Sequence, residues 1–272
     1  MPVSLPEEET TKRGIAPHDG NKTITRVEVR NKNLRWPVTA AFSKNIAGHK
    51  VQDVSRRAKY LLFKLQSGYF MLHLGMSGSL RLASSSEPLL KHDHLVFHLS
   101  SNLTLRLNDP RRFGSALWLG HNPEDHSLLS SLGPEPFDSS CTAQRLFKLS
   151  RKRKVAVKNF VMDNKVIVGV GNIYASEALF ASGIRPRRAA GRVTQAQYSE
   201  LLENIQTILQ ASITMGGTTL RDFVGGDGKP GYFQQTLSVY GREGLACNTC
   251  NSTIKQITIG QRSSFYCPQC QQ

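Results

Sequence analysis

Between residues 21 and 120 the apolar positions fall in short alternating or solid runs broken by turn residues. TRVEVRN, YLLFKLQSGYFMLHL with its Ser-Gly turn, and HLVFHLSSNLTLRLND carry the period of two, or the short continuous stretch, that strands require. These runs predict a β-rich N-terminal domain. LGPEPFD (132–138) gathers proline, glycine and acidic residues into a punctuating segment, and beyond it the period lengthens. TQAQYSELLENIQTILQASI sets Tyr198, Leu201, Leu202, Ile205, Ile208 and Leu209 at helical spacing. It opens on a Thr194…Gln197 pair suited to a capping box and stops at Gly216-Gly217, so it predicts a core-packing amphipathic helix. From Ala246 a small cysteine-bearing unit follows, and no internal repeat interrupts the plan.

Composition narrows the partner. The chain has 272 residues, 39% of them hydrophobic, enough for a sizeable core. Its longest apolar runs, such as VIVGVGNIYA, fall short of the ~18 residues of a membrane helix, and a basic-then-apolar leader is missing. The expectation is a cytoplasmic protein with no membrane partner. Thirty-five Lys and Arg against 20 Asp and Glu leave a net charge of +15, which points to a polyanion, nucleic acid ahead of a membrane surface.

Four of the five cysteines stand as Cys247-x2-Cys250 and Cys267-x2-Cys270, the spacing of a four-thiolate zinc ribbon. Each pair on a tight turn aims two thiolates at one point, and four protein ligands leave no open position, so the site is structural. Two disulfides are the competing reading, disfavoured in a reducing cytoplasm. Cys141 is left over as an inert thiol. GQRSSFYC places Arg262 on the hairpin that the metal would stiffen, where a rigid guanidinium suits a phosphate.

Further motifs suit DNA. HLGMSGSL (73–80) and DPRRFG (109–114) put Met76, Arg111 and Phe113 at strand ends, where an arginine beside bulky apolar side chains could wedge a base step and fill the space of an extruded base. Burial of Met76 and Phe113 in the core is the alternative. RKRK (151–154) is either a solvated charge run or a phosphate contact. VGVGNIYASEALF (168–180) feeds a glycine turn into a helix whose first amides and Asn172 side chain could grip a phosphate. GGDGKPGYF (225–233) is not a P-loop, since no Lys-Ser/Thr follows its glycines, and reads as a mobile lid.

Together these segments resemble the formamidopyrimidine-DNA glycosylases, bifunctional enzymes that excise oxidised purines and nick the abasic strand. The resemblance runs through LPEEETTKRGI, RRAKYLL, HLGMSGSLR, KHDH, DPRRFG, LGPEP, MDNKVIVGVGNIYASE, GGTTLRDF, DGKPGYFQQ, VYGREG and the cysteine unit. It implies an α+β fold: a β-sandwich domain with an N-terminal helix over 1–134, a helical helix-two-turn-helix domain over 135–240, and a zinc ribbon over 241–272. It implies one structural zinc ion, and a monomer acting in the bacterial cytoplasm on double-stranded DNA that carries oxidised purines or abasic sites. Pro2, exposed by methionine removal, would attack C1′ of the flipped nucleotide as a secondary amine. Lys59 matches the family's proton donor, and Glu7 a second glutamate near the active site. Met76, Arg111 and Phe113 match the residues that enter the vacated space. His92, Lys154, Asn172 and Arg262 match backbone contacts, Arg262 also serving the final elimination. Gly225, Asp227, Gly228, Lys229 and Tyr232 belong to the matching loop that closes over the lesion.

One departure bears on the chemistry. The family opens Pro-Glu-Leu-Pro-Glu, whereas this chain reads Pro2-Val3-Ser4-Leu5-Pro6-Glu7, with Val3 or Ser4 in place of the catalytic glutamate and one residue inserted. A missing general acid or base commonly costs ~10²–10⁴ in rate. Two functions therefore stand: the bifunctional enzyme, and a catalytically impaired protein that binds damaged DNA. Glu8 and Glu9 are expected to face solvent in the first turn of a helix, favouring its N-terminus.

Overall fold

The computed structural model describes residues 5–19, 22–216 and 237–272, with side chains from 16 to 19 left aside. Pro2, Val3, Ser4, Gly217 and the loop residues Gly225, Asp227, Gly228, Lys229 and Tyr232 lie outside the described residues. The described chain divides into two compact units, one reaching to Ser131 with Met215 and Gly216, the other formed by Leu132–Thr214 and 237–272.

The first unit opens with helix α1 (Leu5–Asp19), followed by β1 (Thr23–Val29), α2 (Ala40–Ile46), β2 (His49–Arg57), β3 (Tyr60–Leu65), β4 (Gly68–His73), β5 (Ser79–Ser84), β6 (Asp93–Leu99), β7 (Leu103–Asn108), β8 (Ser115–Gly120) and the short α3 (Ser127–Ser130). The predicted Ser-Gly turn closes the β3–β4 hairpin, where Leu65 pairs with Gly68. The strands order as β5-β7-β6-β1-β2-β3-β4-β8, all neighbours antiparallel. Only two residue pairs, Thr23↔Lys50 and Ile24↔His49, join β1 to β2. The sheet therefore turns a corner there, and its two four-stranded halves face each other across an apolar core, as in a sandwich. Phe70 of one half stacks on Phe97 of the other at 5.5 Å between centroids, and Phe63 stacks on Phe70 at 4.5 Å.

This topology sets up one end of the sandwich. β4 crosses to β5 and β7 crosses to β8 at the same end, because His73 pairs with Ser115 and Ser79 with Asn108. Asp93, which opens β6, also pairs with Asn108, and Tyr60, which opens β3, lies beside His73 with rings 5.3 Å apart.

Helix α1 corrects the expectation for its first turn. Glu8 is fully buried, and Glu7 and Glu9 are buried with it. The reason is helical period: Glu8 sits three residues after the buried Leu5 and seven before the buried Ile15, on the stripe that packs against β2, β3 and β5.

The second unit holds α4 (Ala143–Ser150), α5 (Val157–Val161), α6 (Asn172–Ala181) and α7 (Gln195–Thr214), then the hairpin of β9 (Lys255–Ile259) and β10 (Arg262–Tyr266). The capping box forms as predicted, with Thr194 N–H donating to Gln197 Oε1 at 3.1 Å and Gln197 N–H to Thr194 Oγ1 at 3.2 Å. Tyr198, Leu201, Leu202, Ile205 and Leu209 of α7 are buried, and Ile208 packs at the margin of the same core. No helix among the described residues is long and apolar enough to cross a membrane.

Candidate active site and nucleic-acid contacts

In the first unit, the β4–β5 and β7–β8 crossovers touch. Gly75, at φ +74°, has no room for a side chain: a Cβ there would lie 2.6 Å from Gly114 N and 2.7 Å from Phe113 C. A Cβ on Gly114 would in turn meet His73 O at 2.6 Å. Two glycines thus let HLGMSG and DPRRFG pack backbone to backbone, and Met76 is brought beside Arg111 and Phe113. Met76 is half-buried and Phe113 is 46% exposed, so neither is a core residue, and the wedge reading retains its side chains. Arg111 Nε donates to Ser77 Oγ at 2.8 Å, and its guanidinium lies 6.0 Å from the Phe113 ring centroid. The second turn is closed by Arg112 N–H donating to Asp109 O and by Gly114 N–H donating to Asp109 Oδ2 at 2.7 Å.

His92 joins this end because its carbonyl accepts from Asp109 N–H, and its ring meets that of His94 edge-on at 5.9 Å. Lys59 stands in the β2–β3 turn just behind Ala58, whose φ of +52° bends the chain tightly. His73, unremarked in the sequence, is buried beside it. Its Nδ1 accepts from Gly75 N–H at 3.1 Å while Nε2 has no partner among the described residues. Burial, with the Lys59 and Arg35 charges nearby, holds this imidazole down at about 3, so it is neutral at physiological pH.

The carboxylates of α1 have divergent surroundings. Glu9 receives Lys12 Nζ and Arg13 Nε at 3.0 Å and Arg56 Nε at 3.1 Å. Burial pushes its carboxyl up, but the hydrogen bonds from Lys12, Arg56 and Arg13 prevail and bring it to about 2. Among the described residues Glu8 has no hydrogen-bond partner on either carboxyl oxygen. Burial raises it well above the usual carboxylate range, Glu7 adds to the rise, and Arg56 and Lys59 oppose it.

In the second unit the hairpin is held from beneath. Lys158 of α5, a residue the sequence reading passed over, is 1% exposed and donates Nζ to Ser264 Oγ at 2.7 Å and Ser263 O at 3.1 Å. Burial, with the nearby Arg262 charge, lowers it to about 7. Asn172 donates Nδ2 to Ser263 O at 3.0 Å and Tyr240 OH at 3.3 Å, so its amide braces the hairpin, while Oδ1 is buried without a partner among the described residues. At the hairpin tip Gly260 closes on Asn159, whose Nδ2 lies 2.5 Å from where a Cβ would stand. These contacts fix the strand from which the exposed Arg262 projects. Glu177 of α6 is buried and accepts three backbone N–H groups, those of Ser238, Val239 and Tyr240, at 2.8–3.0 Å. An acid inside an apolar helical run was the signal for it, as an isolated lysine between Val157 and Phe160 was for Lys158. Lys154 is exposed, whereas Arg151 of the same run is committed to packing, its guanidinium 3.8 Å from the Phe147 ring centroid.

The four thiols of Cys247, Cys250, Cys267 and Cys270 lie within 4.8 Å of one another, with Sγ–Sγ distances of 3.9 Å for Cys247–Cys270 and 3.4 Å for Cys250–Cys267. They are unbonded, which removes the disulfide reading. Tetrahedral zinc–thiolate bonds of about 2.3 Å put sulfurs roughly 3.8 Å apart, so the set fits one zinc ion with no open position. Cys141 is buried at the α4 end of the helical core, and burial raises its thiol to about 11, an unreactive state.

Comparison with known proteins covers nearly the whole chain. Residues 1–116 match the formamidopyrimidine-DNA glycosylase N-terminal domain, 132–224 the formamidopyrimidine-DNA glycosylase H2TH domain, and 244–272 the zinc finger found in FPG and IleRS. The formamidopyrimidine-DNA glycosylases of Stutzerimonas stutzeri (strain A1501) and Pseudomonas aeruginosa (strain LESB58) are each 55% identical over 267 residues, 98% of either chain. Among solved structures, the complex of Lactococcus lactis Fpg with abasic-site DNA superposes with a TM-score of 0.92 at 29% identity, covering 99% of both chains. That of MutM with carbocyclic 8-oxo-G DNA gives 0.89 at 29% identity and the same coverage.

Proposed function

Because the chain belongs to the formamidopyrimidine-DNA glycosylase family, we propose that it is a bifunctional DNA glycosylase and abasic-site lyase that removes oxidised purines from double-stranded DNA. The observation that carries this reading is the meeting of Met76, Arg111 and Phe113 at the end of the sandwich to which the Lys59 turn also belongs, its neighbour Tyr60 lying against His73. An exposed aromatic beside an arginine, on two turns locked together by glycines, can enter the gap left by an extruded base without rearrangement. The three-part division at 134/135 and 240/241, action as a monomer and a cytoplasmic location belong to the same proposal.

The reaction follows from a secondary amine. The nitrogen of Pro2 attacks C1′ as the C1′–N bond to the damaged base breaks; the proline N–H proton is then lost, and the nitrogen pair closes the iminium as the C1′–O4′ bond opens and O4′ takes a proton. An amine near its ordinary α-amino range of about 7.7–8.0 is partly unprotonated at neutral pH and can attack without a strong base. The iminium acidifies C2′, and loss of a C2′ proton expels the 3′ phosphate by β-elimination; the conjugated iminium then acidifies C4′, and loss of that proton expels the 5′ phosphate by δ-elimination. Lys59 donates a proton during these steps, with Glu7 beside it in the site. His92, Lys154 and Arg262 hold the backbone, Asn172 braces the hairpin that carries Arg262, and the loop of Gly225, Asp227, Gly228, Lys229 and Tyr232 covers the flipped base. Zinc supplies no chemistry: it stiffens the hairpin that carries Arg262.

The departure at Val3 and Ser4 favours a second reading, a damaged-DNA-binding protein with weak base excision. Borohydride trapping on a duplex with one 8-oxoguanine opposite cytosine, with mass spectrometry of the mature N-terminus, decides between them. A covalent adduct at Pro2 is expected. An adduct only on a duplex with a preformed abasic site would support the second reading, and none on either would overturn the enzyme.

A further inference from the structure

The turn that carries Phe113 holds a backbone conformation that needs outside support. Arg112 stands at φ +57°, a left-handed value that an arginine keeps only where its surroundings hold it there. Two holding contacts lie inside the turn: Arg112 N–H donates to Asp109 O at 3.2 Å, and Gly114 N–H to Asp109 Oδ2 at 2.7 Å. A third comes from another strand, and the mechanism above does not use it. His94 Nε2 lies 2.9 Å from the same Asp109 carbonyl oxygen. That oxygen can only accept, so Nε2 carries a hydrogen and donates it. His94 is 6% exposed and Asp109 0%, so water does not replace the bond if the ring is removed.

Strand register explains how the ring reaches the turn. β6 and β7 pair as Asp93↔Asn108 and then Leu95↔Leu107, so β6 advances two residues where β7 advances one, and His94 is the extra residue. A bulge of this kind re-aims the side chain that sits on it, here towards Asp109, which directly follows β7. Its flanks are fixed. Asp93 accepts Arg81 Nη1 and Nη2, Asn108 Nδ2 and Leu90 N–H at 2.8–2.9 Å, and His92 O accepts Asp109 N–H at 3.0 Å.

We infer that His94 is a positioning residue for the wedge: its Nε2–H, donated to Asp109 O, keeps the 109–114 turn in the strained form that presents Phe113 beside Arg111. The inference rests on the wedge reading within the function proposed above. A side chain that must enter a base step is sensitive to placement, and a shift of about 1 Å can cost about 10²-fold.

The full chain tests this with His94→Gln, His94→Asn and His94→Phe. Glutamine carries an amide N–H out to the place of Nε2, asparagine stops short of it, and phenylalanine fills the space of the ring without a donor. A 2-aminopurine beside an 8-oxoguanine reports opening of the base step in stopped flow. His94→Asn and His94→Phe should slow that opening about 10–100-fold, and His94→Gln should restore it to within about threefold of wild type. In a Phe113→Ala background His94→Asn should add less than about threefold, because two changes that act through one side chain are not additive. Nitrogen NMR of isotope-labelled histidines, with His94 assigned by its absence from His94→Gln, should show Nε2 protonated in the wild type, a readout that needs neither DNA nor a variant that loses the bond. A bare Nε2, His94→Gln folded yet as slow as His94→Asn, wild-type speed in His94→Asn and His94→Phe, or the full His94→Asn loss persisting without Phe113 overturns this inference alone. A wild type that opens the step yet forms no adduct on either duplex overturns the proposed enzyme and not this inference. One that never opens the step overturns this inference.

Discussion

Phe113 shows how exposure assigns a residue its task. A phenylalanine 46% exposed on a turn held by Gly75, Gly114 and Asp109 contributes little to folding, since a group already in water loses little on truncation. Phe113→Ala should change stability by less than about 0.5 kcal/mol in urea unfolding, yet weaken binding to an 8-oxoguanine duplex by about tenfold in fluorescence titration, because the wedge that fills the emptied stack is gone. Glu9 presents the opposite case. Its carboxyl, brought to about 2 in the folded chain against an ordinary 4.5, binds protons less readily folded than unfolded. Its stabilisation is therefore complete above about 4.5 and disappears as pH falls through about 2. Glu9→Gln should cost on the order of 1–2 kcal/mol at pH 7, and melting curves of variant and parent should converge between pH 4.5 and 2. Neither property was legible locally. Three successive glutamates read as a solvated helix start, and only the spacing Leu5, Glu8, Ile15 hinted that the helix buries the middle one.

At the scale of elements, the β9–β10 hairpin is secured from three directions: the four thiols at its base, Lys158 and Asn172 against Ser263, and Asn159 against Gly260 at its tip. A hairpin of ten strand residues cannot hold itself in water, so the metal and the helices supply what strand pairing lacks. Chelation with EDTA should unfold the ribbon, seen as loss of its near-ultraviolet circular dichroism, and should weaken DNA binding at least tenfold while α7 keeps its helical signal. Readdition of zinc should restore both. The cysteine spacing announced the ribbon, with two disulfides as its competing reading, because metal geometry tolerates few spacings. The capping box at Thr194 was equally legible, being a contact between residues three apart. Lys158 was not, since its partners lie more than 100 positions away.

For the molecule as a whole, a net charge of +15 predicts binding dominated by phosphates. Affinity for a short duplex should fall linearly in log–log form with salt, and Lys154→Ala should lower the magnitude of that slope by about one while weakening all sequences alike. Charge, element periods, turn chemistry and the cysteine framework are properties of neighbours along the chain, and the sequence by itself determined them: a β-rich half, a helical half, a zinc ribbon and a polyanionic partner. Only the tertiary structure decided which side chains meet. The sharp corner between β1 and β2 folds one sheet onto itself, and that fold sets the Met76 and Phe113 turns side by side as they cross from one half to the other. It likewise determined that Glu8 lies in the interior. Proximity of this kind depends on the register of distant strands, and no local spacing encodes it, because burial is a property of what the rest of the chain packs on top.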